Sequence, residues 1–152
     1  MTTLTQKTLT RSLPGQDALD RLTRNVAPLA GRILIGGMFA VAGLTKTGAA
    51  YAGTQGYMES VGLPGGLLPL VIAFEIGAGL MLIAGWKARA VATLLAGFTV
   101  LTAIAFHGNL SDPVQSLFFT KNLAIAGGLL MIAGLGAGRF GLDSRNAERS
   151  GL

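Results

Sequence analysis

Five residues in this chain could do chemistry together: Glu75, Lys46, Lys121, His107 and Asn122. Glu75 is the most demanding of them. It stands in LLPLVIAFEIGAGLMLIAGW, residues 67–86, a run of 20 residues otherwise almost free of polar groups. At about 1.5 Å per residue, a helix of that length crosses a bilayer core. An unpaired ionised carboxylate there is costly, so Glu75 is expected either to hold a proton or to meet a cation. Lys46 and Lys121 can approach from the same side. His107 could hydrogen-bond a carbonyl or pass a proton, and Asn122 could orient a ligand. Each also has a plain structural reading. Glu75 could pin two helices, the lysines could anchor at an interface, His107 could belong to a loop beside Gly108-Asn109, and Asn122 could cap a helix. Convergence on one pocket is what favours function.

The elements that must position them are four apolar blocks, at about 26–45, 67–86, 90–106 and 122–138. Leu117, Phe118 and Phe119 precede Lys121, so the fourth could begin earlier. The chain is 51% hydrophobic and only 12% charged, about half the charge of a soluble domain. The expected class is all-α, a polytopic membrane protein built as a four-helix transmembrane bundle. Ten lysines and arginines flank one side (Lys7, Arg11, Arg21, Arg24, Arg32, Lys87, Arg89, Arg139, Arg145 and Arg149), against two, Lys46 and Lys121, on the other. That bias predicts an N-in, C-in protein of the cytoplasmic membrane. Arg32 is expected to snorkel to the inner interface, where Trp86 also lies; Tyr51 and Tyr57 fall in the outer loop. In this frame the first and third spans run outward. Lys46, His107, Lys121 and Asn122 then all lie toward the outer face, with Glu75 about 12 Å below it.

Residues 1–25 form a polar, Thr-rich tail expected to be flexible, 26–143 the membrane domain, and 144–152 a second cytoplasmic tail. Ala40-Val41-Ala42 resembles a signal-peptide cleavage site, but the polar tail before it is long and cleavage would leave three spans; the segment is expected to stay. A short interfacial helix is expected around Tyr51–Val61, and the tight turn at 86–89 should make the second and third spans an antiparallel hairpin. Small residues recur in every span, among them Gly36, Gly43, Ala78 and Gly79, as close helix packing in lipid requires. The Gly-x-Gly patterns follow no strand and are not nucleotide loops. The chain has no cysteine, so thiol chemistry and thiolate metal sites are excluded. With one histidine and no carboxylate cluster, no metal site is expected. The net charge of +5 flanks the apolar blocks and points to a lipid bilayer, not nucleic acid.

Several stretches resemble DoxX-family membrane proteins. Arg32-Ile33-Leu34-Ile35-Gly36-Gly37-Met38-Phe39 followed by Ala42-Gly43-Leu44-Thr45-Lys46 is similar to their first helix. The Glu75 helix with Gly85-Trp86-Lys87-Ala88-Arg89 resembles their second helix and inner turn, and Lys121-Asn122-Leu123 the start of their fourth. Gly136 to Asp143 resembles their closing Gly-Pro-Gly and Ser-x-Asp pattern, with Ala137 in place of the proline and Gly141 in place of the serine. The resemblance covers about residues 26–143. It implies a four-helix bundle in the cytoplasmic membrane with a link to respiratory or redox chemistry, since some relatives belong to thiosulfate:quinone oxidoreductases.

The function expected is therefore a quinone-interacting redox protein, or the membrane subunit of an oxidoreductase. No cofactor is expected to be covalently bound, and quinone is the expected ligand. Lys46, Glu75 and His107 would be catalytic, and the same three with Lys121 and Asn122 would bind the head group. There is no haem-like histidine pair or flavin motif, so electrons would come from a soluble or membrane oxidoreductase partner, or from a small reductant. The alternative is a non-enzymatic scaffold or assembly factor that recruits a redox partner. A narrow solute or proton pathway, which would require a homo-oligomer, is a third.

Overall fold

The computed structural model describes residues 16–149. All regular elements among them are helical: α1 (Gln16–Arg21), α2 (Ala27–Thr45), α3 (Tyr51–Ser60), α4 (Leu68–Ala84), α5 (Ala88–His107), α6 (Pro113–Leu135) and α7 (Leu142–Arg149). Four helical stretches are long and apolar enough to cross a membrane: Leu19–Thr45, Gly65–Ala84, Ala88–His107 and Pro113–Leu135. The expected N-terminal tail is helical from Gln16, through α1 and a π-helical turn at Leu22–Val26 that runs into α2; its first 15 residues lie outside the described ones. The tail expected from 144 onward is helical through Arg149, within α7. The interfacial helix expected around Tyr51 is α3.

The fourth span starts earlier than the 122–138 block. Asp112 caps it, its Oδ1 accepting from the backbone N–H groups of Val114 (2.8 Å) and Gln115 (3.2 Å), and Pro113 takes the first helical position, where its missing N–H costs nothing. Lys121 and Asn122 thus lie inside α6, and Asn122 is not its cap. The helix stops at Gly136, whose φ of 86° suits glycine. α4 ends in a Schellman turn: Gly85 is left-handed, its N–H donates to Leu82 O, and Trp86 N–H donates to Met81 O.

Packing divides the bundle into two close pairs, α2 with α4 and α5 with α6, and the pairs touch each other less. The tight turn at 86–89 is present, but the second and third spans are not the closest neighbours. Glycines explain the α2–α4 pair. A Cβ at Gly36 would lie 2.6 Å from Gly79 O, and one at Gly79 would lie 2.6 Å from Gly36 O, so only glycine lets these backbones meet. Gly43 faces Ile72 and Glu75 one register further, which makes the pair antiparallel. In lipid such close van der Waals approach does the work that water-driven burial does elsewhere. Phe39, Leu82, Leu95, Leu129 and Ile132 fill the centre, with small Ala78, Ala92 and Ala96 between them. The large apolar side chains on the outside, Leu34, Leu101 and Leu135 among them, face where lipid would be.

Candidate functional site

Lys46 caps the C-terminal end of α2, and its side chain curls back to donate to Ala42 O at 3.0 Å. A cation is favoured there, beside the last carbonyls of the helix. The same Nζ donates to Glu75 Oε1 at 2.9 Å and to Oε2 at 2.8 Å. The three donors of the ammonium thus meet three acceptors. This is the one ion pair formed among the described residues. The Glu75 side chain is 7% exposed and that of Lys46 26%, so the carboxylate is enclosed and the lysine remains reachable. Gly43 makes the room: a Cβ there would come 3.2 Å from Glu75 Cβ and 2.7 Å from Ile76 Cγ1. The helix pairing that brings Gly36 against Gly79 therefore also seats Glu75 beside the end of α2.

The other three expected residues sit on the second helix pair. His107, at the end of α5, has Nδ1 2.6 Å from Gln115 Oε1 on α6, an arrangement in which the ring nitrogen donates. Its ring stacks on Phe118 at 5.2 Å between centroids, and Lys121 Nζ lies 4.6 Å from the centre of that same ring. Asn122 is half-buried. Among the described residues no hydrogen bond joins His107, Lys121 or Asn122 to Lys46 or Glu75. Direct contacts join these residues in two polar groups at one end of the bundle, one on α2/α4 and one on α5/α6. Gln115 and Phe118 were not singled out; their spacing of three residues from each other, and of three from Phe118 to Lys121, could have signalled one face. Tyr57 ties α3 to this end, its hydroxyl donating to Phe106 O at 3.2 Å.

The opposite end, which carries both described termini, holds a charged group whose partners sequence reasoning did not foresee. Arg32 does not snorkel. It is fully buried and donates from Nη1 to Ile83 O at 3.4 Å, while its Nε and Nη2 have no hydrogen-bond partner among the described residues. Near it, Asp143 accepts from Lys87 N–H at 2.7 Å and Ala88 N–H at 2.8 Å, and so caps α5 from the far end of the chain. Lys87 has φ of 47°, a left-handed conformation that costs a side-chain-bearing residue about 1–2 kcal/mol. The two bonds to Asp143 hold it there. The signal was present: neither Trp86 nor Lys87 is a capping type, so the cap for α5 had to come from elsewhere.

The DoxX family profile matches residues 27–108, more than half of the chain, and the chain belongs to the DoxX family. It is 48% identical over 119 residues to "Inner membrane protein YqjF" of Escherichia coli (strain K12), covering 78% of this chain and 91% of that protein. It is 33% identical over 130 residues to "Inner membrane protein YphA" of the same organism, covering 80% of this chain and 91% of that protein. No solved structure matches. With its four membrane-spanning helices, the chain is a multi-pass, DoxX-family inner-membrane protein.

Proposed function

We propose that this protein is a quinone-interacting redox protein or the membrane subunit of an oxidoreductase, with the Lys46–Glu75 pair as its reactive centre. The observation that carries this reading is an ion pair of two side chains, at 2.8 Å, between helices otherwise packed through apolar and small residues. The donor set suits a quinone head group. An ammonium offers only donors, which a carbonyl oxygen needs; a carboxylate accepts when ionised and donates when protonated. A bound quinone would supply two-electron, two-proton redox chemistry, with electrons from a partner oxidoreductase. Lys46, being reachable, would exchange one of its bonds to Glu75 for a ligand oxygen. Glu75, enclosed behind it, would hold a proton at Oε1 or Oε2 while the lysine charge is turned away. His107, Lys121 and Asn122 would serve as accessory contacts on the second helix pair.

The full donor set of Lys46 also favours a second reading, a clasp that locks α2 to α4 in a scaffold protein. Mass spectrometry of the organic extract from gently solubilised protein separates them. Stoichiometric quinone, lost in Glu75→Gln, is expected; phospholipid alone in both forms would leave the scaffold. The reading includes an N-in, C-in orientation, from the basic residues at the termini end. A C-terminal phosphatase fusion is expected to be inactive, and an active one would invert the frame.

A further inference from the structure

At the termini end a cavity of about 630 Å³ opens between the start of α5 and the end of α6. Its lining includes Lys87, Arg89, Ala90, Leu135, Asp143 and Ser144. The Lys46–Glu75 pair plays no part in it. We infer that this cavity binds a phosphate group at the membrane surface, carried by an anionic phospholipid or free in solution. Three observations support it. First, Lys87 and Arg89 line the cavity beside a single anion that is already committed: both Asp143 oxygens accept backbone N–H groups of the α5 start, while the Lys87 ammonium is shared with the Trp86 ring, 5.5 Å from its centre. Arg32, buried outside the lining, lies within electrostatic range of Asp143 and offsets its charge. Second, the Arg89 guanidinium is exposed, makes no hydrogen bond or ion pair within the described chain, and lies against the Gly136 turn. A Cβ on Gly136 would sit 3.1 Å from Arg89 Nε and 3.5 Å from Nη2, so the guanidinium lies close against this turn. An exposed guanidinium with its donors free can take two oxygens of a phosphate at once. Third, Ala90 and Leu135 give the same cavity an apolar wall, and Leu135 is exposed beside it. A phospholipid would lay its acyl chain there and its headgroup on the cations, as basic pockets between membrane helices do.

The test uses the purified full-length chain, stripped of lipid in detergent and titrated separately with short-chain phosphatidylglycerol and phosphatidylcholine, with bound species counted by native mass spectrometry. Saturable phosphatidylglycerol binding, at least tenfold tighter than phosphatidylcholine, is expected. Arg89→Gln should weaken it about tenfold, and Arg89→Lys, which keeps the charge but loses the planar fork, should weaken it less. Glu75→Gln should leave it unchanged, which separates this site from the redox reading. Inorganic phosphate that competes at equal concentration would identify the free anion as ligand; absence of competition would identify the headgroup. Equal retention of both lipids, or undiminished phosphatidylglycerol binding in Arg89→Gln, overturns the inference.

Discussion

The two ends of this bundle each bury charge, and they do it differently. At the end bearing Lys46, two side chains from different helices meet each other, donor to acceptor, with the lysine still reachable. At the termini end, Arg32 and Asp143 both turn to backbone: Arg32 to Ile83 O, Asp143 to the N–H groups of Lys87 and Ala88. Backbone partners cannot rotate away, so that group is architectural; it holds the turn between α4 and α5 and draws α7 against it, where Asp143 N–H donates to Gly85 O at 3.0 Å. Side-chain partners can exchange, so the Lys46–Glu75 pair is where a ligand could intervene. The lesson is that burial of charge alone does not mark a reactive centre. The nature of the partner does.

The comparison can be broken most sharply at Glu75. Glu75→Ala removes two of the three acceptors of Lys46 and should destabilise the bundle by about 3–5 kcal/mol, as loss of one partner from a buried pair does. Denaturant titration in detergent would show it, and the double variant with Lys46→Ala should lose less than the two single changes combined. An additive double variant would mean that the pair contributes no coupling.

A smaller effect is expected at the other end. Asp143→Ala forfeits two charge-assisted bonds to the α5 start and should cost about 2–3 kcal/mol in the same titration. Quinone content should not change. If it fell as in Glu75→Gln, the two ends would not be separate in role.

The smallest effect should come from Lys121→Ala. Its contact with Phe118 is exposed and worth about 0.5–1 kcal/mol, so stability should hardly move. Quinone retention is then the informative readout: a loss would draw the α5/α6 group into the same site as Lys46 and Glu75, and no change would keep the groups apart.

Much of this was legible in the residues. Four apolar blocks, the small residues between them and the intramembrane carboxylate determined an all-α membrane bundle and called for a cation beside Glu75, from Lys46 or Lys121, because length, hydropathy and the cost of a lone charge in lipid are local properties. Even the start of α6 was written in Asp112-Pro113, a cap followed by a first-turn proline. Tertiary structure alone decided the rest. Which helices pair closely depends on Gly36 meeting Gly79 across the bundle. Whether Arg32 reaches water or is enclosed depends on the Gly85 turn packed against it. Asp143 caps a helix whose start lies more than 50 residues earlier. These are contacts between distant segments, set by which surfaces fit, and no spacing along the chain encodes them.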